Sequence, residues 1–326
     1  MLLFVHILRY YVTFLNNIVT YGIEIGLCLT VFIFISLQDS VFMIPQKKRF
    51  PCKIQTFNQM DVIEDLKNTF SDKQKDLFKA TVFGHFLSMP NICFQAQLVH
   101  QILLREVYSD KEDREFWFNI KGSVVRYSVE EFCLITGLKC DGDDDTSTFL
   151  MKNGGLKDIT FPGSSGKVTK KQVRDAFIQK KVDGDENLVK LGIVHLLSNF
   201  LFGTIIDTKV NTFFWAIVDC DQQSVDNFPF GKMLWESSRS SMRKALIDKA
   251  KIYDDRLDSK TGKVEPFSYR LIGFPIAFLI WIYETIPSLS NNFCEKTGNF
   301  FPKINCWASE KGFSFNSFDQ KVFSKE

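Results

Sequence analysis

A chain of 326 residues, 45% hydrophobic and 24% charged, is long enough to bury one large core or two modest ones. Its 40 Lys and Arg nearly cancel its 38 Asp and Glu, which excludes a strongly acidic or basic tail-like protein and gives no electrostatic reason to expect nucleic acid. With 34 Phe, 8 Tyr and 5 Trp the chain is too aromatic for wholesale disorder.

Residues 1–45 read as a hydrophobic leader that forms a single membrane anchor. Between Ile18 and Leu37 only Glu24 is charged, and that length matches the roughly 20 residues a bilayer core requires. Arg9 is the one full charge before it, whereas Lys47, Lys48, Arg49 and Lys53 follow, so the large C-terminal part is expected on the cytoplasmic side. Two alternatives stay open: a non-native leader, which would leave the protein nuclear or cytosolic, and a segment of the folded core. Runs of Ile, Val, Phe and Thr also suit buried strands.

A basic linker spans 46–54, and a first helical lobe is expected over 55–139. Its strongest helix runs from Cys93 to Val107, with Phe94, Leu98, Ile102 and Glu106 at four-residue spacing. Phe116, Phe118 and Ile120 then alternate with Trp117 and Asn119. Lys121-Gly122 turns the chain, and Val124 to Tyr127 returns it, which predicts a β-hairpin. Ser128 and Glu131 form a capping box for the next helix, and Gly137 is placed to stop it.

The stretch 140–167 is acidic, then Gly- and Ser-rich, and reads as a surface loop. A second helical lobe is expected over 168–290. In it Thr169 and Gln172 cap one helix, and Leu188 to Phe202 forms another. Thr212 to Asp219 reads as a helix or a strand, and a polar helix follows from Leu234 to Tyr253. Pro275 opens an apolar helix that Pro287 ends. The tail 291–326 shows no period and is expected to be loosely ordered. The predicted fold class is therefore mainly α: many helices in two lobes with one small antiparallel β-hairpin.

Several chemistries are nearly spelled out and then missing. Asp141-Gly142-Asp143-Asp144-Asp145 starts like a calcium loop, but Thr146 and Lys152 stand where Gly and Glu are needed. Gly163-Ser164-Ser165-Gly166-Lys167 lacks the glycine spacing of a phosphate loop. Lys167, Lys170, Lys171 and Arg174 form a short basic group that reads as a wet face. A thiol peptidase needs a cysteine paired with a histidine, for which Cys220 and His195 are the candidates, but His195 sits in an apolar helix. The 8 Cys have no zinc-like spacing and are expected as free, buried thiols.

Phe83-Gly84-His85-Phe86-Leu87-Ser88-Met89-Pro90, Phe94 to His100, and the block Phe132, Cys133, Leu134, Ile135, Thr136, Gly137, Leu138 resemble a plant DUF1985-type domain of unknown function. Phe228-Pro229-Phe230-Gly231 and the helix carrying Trp281, Tyr283 and Glu284 are similar to its second half, except that Phe230 stands where that family usually has Trp. The likeness runs over about 68–290. It implies a transposon-derived module that often precedes a SUMO-deconjugating cysteine peptidase domain, without the peptidase residues themselves. The expected function is a non-catalytic protein-interaction module with no cofactor, metal or catalytic residue, and an unidentified protein as partner. A nucleic-acid-associated module, which the charge does not support, and a peptidase-gene remnant are the alternatives; membrane contact would run through residues 18–37.

Overall fold

Several helix boundaries have a local cause that can be read in their residues. The computed structural model describes residues 42–110, 114–164, 167–205, 207–257, 261, 264, 267–290 and 292–323, all within one compact unit. Strand β1 (Lys53–Thr56) leads to helices α1 (Val62–Thr69) and α2 (Asp72–Lys79). Ser71 and Gln74 form a reciprocal capping box at the start of α2. Helix α3 (Ala96–Leu103) carries the expected apolar stripe but is shorter than its sequence pattern. The chain beyond it leaves the helix to pair with the hairpin, Val107 N–H donating to Trp117 O at 2.9 Å and Asn119 N–H to Arg105 O at 3.0 Å.

The hairpin joins β2 (Phe116–Ile120) to β3 (Ser123–Tyr127) in antiparallel register, Phe116 opposite Tyr127. Lys121 and Gly122 both have positive φ, 54° and 80°, the geometry that matches the twist of a two-residue turn. Helix α4 (Val129–Thr136) follows at once, capped by Ser128 and Glu131 and closed by Gly137 at φ 70°.

Helices α5 (Leu156–Thr160), α6 (Lys170–Ile178) and α7 (Asp185–His195) come next, and α7 continues as a wider π-helical stretch over Leu196–Leu201. The ambiguous Thr212 segment is helix α8 (Thr212–Val218), started by the Asn211 side chain accepting from Phe213 N–H. After α9 (Gln222–Asn227), the expected single polar helix is two: α10 (Phe230–Ala245) and α11 (Lys249–Arg256). They are separated by Asp248, whose φ of 59° no helix can continue through.

Strand β4 (Ser268–Leu271) pairs in parallel with β1, Ile54 opposite Tyr269, a pairing across more than 200 residues that local patterns do not announce. Helix α12 (Pro275–Thr285) is the centre of the core, buried at every position except Glu284. Its Phe278 and Trp281 rings lie 5.3 and 5.5 Å from Phe118 and 4.9 and 5.2 Å from Tyr127, so the hairpin's inner face and α12 form one aromatic layer. Such contacts are worth about 1 kcal/mol each beyond the area they bury. The chain is thus mainly helical with a small antiparallel hairpin.

Three expectations are corrected. Among the described residues no helix is long and apolar enough to cross a membrane, which leaves the membrane anchor, the membrane partner and the single-pass localisation without support. The most apolar helix, α12, has 11 residues and so spans about 16 Å, half a bilayer core. Ile18, Glu24 and Leu37, on which the anchor was placed, lie outside the described residues. Second, the tail beyond 290 is packed rather than loose as far as residue 323. Strands β5 (Glu295–Lys296) and β6 (Trp307–Ala308) pair, and helix α13 (Phe315–Phe318) follows. Ile304, Cys306, Trp307 and Phe318 are buried, because the scattered aromatics of this segment find their partners in distant parts of the chain. Third, Cys133 and Cys140 form a disulfide, their Cα atoms 6.2 Å apart across the end of α4. The free thiols among the described residues are Cys52, Cys93, Cys220, Cys294 and Cys306.

Candidate functional site: a charged cleft beside the hairpin

The turn from β3 into α4 and the first half of α10 together wall an open cleft of about 690 Å³. Asp110, Glu115, Glu130 and Glu236 contribute carboxylates to its lining, against the cations of Arg114 and Lys232. Trp235 and Cys140 complete the apolar part of the wall, and Trp235 itself is buried against Tyr127 and Phe132. The size falls within the range of small-ligand and side-chain pockets.

Hydrogen bonds hold this wall in place. Glu131 accepts from Ser128 N–H and from Arg126 at 2.8 Å each, and Arg126 also reaches Glu115 at 3.6 Å. Partial burial disfavours the Arg126 charge, but Glu131 outweighs it and raises the guanidinium pKa above its ordinary value. Trp117 Nε1 donates to Glu115 at 2.9 Å. Across the cleft, Lys232 pairs with Asp144 at 2.7 Å and donates to Gly142 O at 3.1 Å, which pins the acidic loop to α10. Arg239 pairs with Glu236 at 2.7 Å.

Gly231 sets the distance between that loop and α10. A Cβ there would lie 2.6 to 2.8 Å from Cys140 Sγ, Lys139 O and Leu138 O, while Gly231 N–H donates to Lys139 O at 2.8 Å. Gly231→Ala is therefore expected to push the 138–140 segment off α10 and cost about 2 kcal/mol by overpacking. Urea unfolding checks this; a midpoint equal to that of the parent chain would contradict the packing described.

The residues singled out by sequence resemblance mostly build rather than line this wall. Phe132 and Leu138 are buried, and Thr136, also buried, donates its hydroxyl to Phe132 O at 2.9 Å. Cys133 is in the disulfide, Gly137 closes α4 at an exposed position, and Leu134 is the exposed large side chain of the block, at 44%. Trp281 and Tyr283 are core residues, and Tyr283 donates to Ser309 Oγ at 3.3 Å. Glu284 accepts from Trp307 Nε1 at 2.7 Å and pairs with Lys296 at 3.6 Å, tying α12 to the packed tail.

The candidate thiol dyad is not assembled. Asn199 donates to His195 Nδ1 at 2.9 Å, so the ring proton sits on Nε2 and is donated to Asp65 at 3.1 Å. Asp65 also accepts from Arg174 at 2.8 Å, which joins α1, α6 and α7 in one network. Burial of His195 holds its pKa below the ordinary histidine value despite Asp65. Partial burial pushes the Asp65 carboxyl the other way, but the bonds from His195 and Arg174 prevail and hold it below the usual carboxylate range. Cys220 Sγ rests on Ala216 O at 3.4 Å. Its acidic neighbours serve as caps: Asp219 accepts from Leu156 N–H at 3.0 Å and Asp221 from Ser224 N–H at 3.0 Å.

Among the described residues no group of His, Cys, Asp and Glu is placed to hold a metal ion. In the calcium-like loop, Asp145 caps the turn at Thr146–Thr148 and Asp144 is engaged by Lys232. Ser165 and Gly166 of the phosphate-loop-like run lie outside the described residues. Of the short basic group, Lys170 is buried, donating to Phe202 O at 3.0 Å with its pKa pushed down to about 8 by burial, and Arg174 is held by Asp65 and Asp61.

Fold and cleft define a mainly helical domain whose conspicuous surface feature is a charged cleft rather than a set of converging reactive groups. Residues 103–241 match the model of the family described as a domain of unknown function, DUF1985. Every residue lining the cleft lies within the matched segment, whereas the Phe83 to Pro90 and Trp281 to Glu284 motifs fall outside it. No curated protein and no solved structure matches the chain. Sequence reading missed the cleft because its residues, from Asp110 to Glu236, have no common spacing; only the capping box at Ser128 marked one of its walls.

Proposed function

We propose that the chain is a non-catalytic protein-interaction module that receives a basic segment of a partner protein in the cleft between β3, α4 and α10. The observation that carries this reading is the lining: carboxylates outnumber cations there, on a chain whose overall charge is nearly balanced. The cleft walls are hydrogen-bonded in advance, so binding would cost little ordering. The non-enzymatic part of the reading is supported by His195, whose two ring nitrogens are both engaged in a fully buried site. The resemblance of the motifs adds that such a module is transposon-derived and stands in plant proteins.

A fluorescent Lys- and Arg-rich peptide tests it. Binding to the full chain should weaken as salt rises and fall about tenfold in a Glu130→Gln, Glu236→Gln double variant, while an acidic peptide of equal length should not bind. Equal affinity of parent and variant would remove the cleft from the reading. Selective labelling of Cys220 by a thiol-directed activity probe would favour the peptidase-remnant alternative instead.

A further inference from the structure

A second groove, of about 680 Å³, lies on the other side of α10. The run Ser237-Ser238-Arg239-Ser240-Ser241 followed by Lys244 places Ser237, Ser240, Ser241 and Lys244 at positions i, i+3, i+4 and i+7, one face of the helix. That face meets β4, which supplies Ser268 and Arg270, and Lys249 from the start of α11 closes one end.

Two serines of the run are used to build the groove. Ser238 Oγ accepts from Phe274 N–H and Ser241 Oγ from Ile272 N–H, both at 2.8 Å, which docks the end of β4 on the helix. Gly273, at φ 85°, makes the close approach possible, since a Cβ there would fall 2.5 Å from Ser238 Oγ. The hydroxyls of Ser237, Ser240 and Ser268, by contrast, have no hydrogen-bond partner among the described residues.

The cations show the same contrast. Arg126, Arg174, Arg239 and Lys232 are all matched by carboxylates. Lys244 and Lys249 form no ion pair among the described residues, and Arg270, which bonds the neutral amide of Gln55 at 3.3 Å and lies 5.4 Å over the Phe57 ring, meets no carboxylate among them either. No carboxylate lines the groove. Three unmatched cations and three unengaged hydroxyls around one recess are the donor set a tetrahedral oxyanion requires.

We propose that this groove binds a phosphomonoester group, at a site separate from the acidic cleft and independent of the interaction reading above. A monoester is favoured over a nucleic-acid backbone for two reasons. The cations surround one recess instead of forming a stripe, and the aromatic residue at the site, Tyr269, is buried and offers no face for a base.

The test is titration of the full chain with O-phosphoserine, followed by phosphorus NMR at constant ionic strength, alongside unphosphorylated serine and a 5′-hydroxyl oligothymidine. Saturable binding of phosphoserine is expected, weakened about tenfold in a Lys244→Ala, Arg270→Ala variant whose melting temperature matches the parent's. Ser237→Ala with Ser240→Ala should weaken it severalfold with no change in charge. Non-saturating binding, or equal affinity in the cation variant, would overturn the proposal. Tight oligothymidine binding without phosphoserine binding would overturn it in favour of a polyanion track. Because none of these substitutions touches the acidic cleft, failure here leaves the basic-peptide result standing.

Discussion

Asp65→Ala is expected to lower the unfolding free energy by about 4 kcal/mol, the largest effect of any single substitution considered. The carboxylate accepts from His195 inside the protein and from Arg174 at its edge, and alanine leaves the buried His195 without an acceptor and Arg174 with Asp61 as its remaining carboxylate. His195 is fully buried, so water cannot replace the lost partner. Asp65→Asn keeps one carbonyl oxygen and should recover about half of the loss. Urea unfolding of the three chains, with the denaturant slope checked for constancy, measures both numbers. A loss below about 1 kcal/mol for the alanine variant would mean that the network joining α1, α6 and α7 is incidental.

His100 is expected to make the fold acid-sensitive by about 3 kcal/mol. Tyr269 donates to its Nδ1 at 2.9 Å and its Nε2–H donates to Phe50 O at 2.7 Å, so the buried ring is neutral and joins α3 to β4 and to the chain before β1. Burial pushes its pKa down to about 4, against an ordinary 6.5. A depressed histidine pKa means that the unfolded chain binds the proton first. The contribution is therefore complete above pH 6.5, is lost progressively as pH falls from 6.5 to about 4, and changes no further below that. Lowered pKa values at His195 and His85 act in the same direction. The His100 share is read as the difference between the pH profiles of the parent and His100→Gln. Parallel profiles between pH 7 and 4 would show that the ring does not titrate with unfolding.

Local chemistry was legible wherever neighbours in the chain decide the structure. The hairpin, its Lys121-Gly122 turn, the Ser128 capping box and the Gly137 stop are written within about 20 residues, and each interaction closes over a few bonds. The same holds for the cap of α6. Where the period was read too far, as across Asp248 or past Leu103, a backbone angle or a distant strand intervened.

The sequence by itself determined a mainly helical, aromatic-rich domain with one hairpin, because composition, periodicity and capping act through the nearest residues. Tertiary structure alone decided the β1–β4 pairing, the packed tail, the partners of His100 and His195, and both grooves. Each of these brings together residues separated by dozens to hundreds of positions. Which charges end up matched, and which are left facing a recess, depends on the surfaces that packing leaves over. Spacing along the chain carries no record of that.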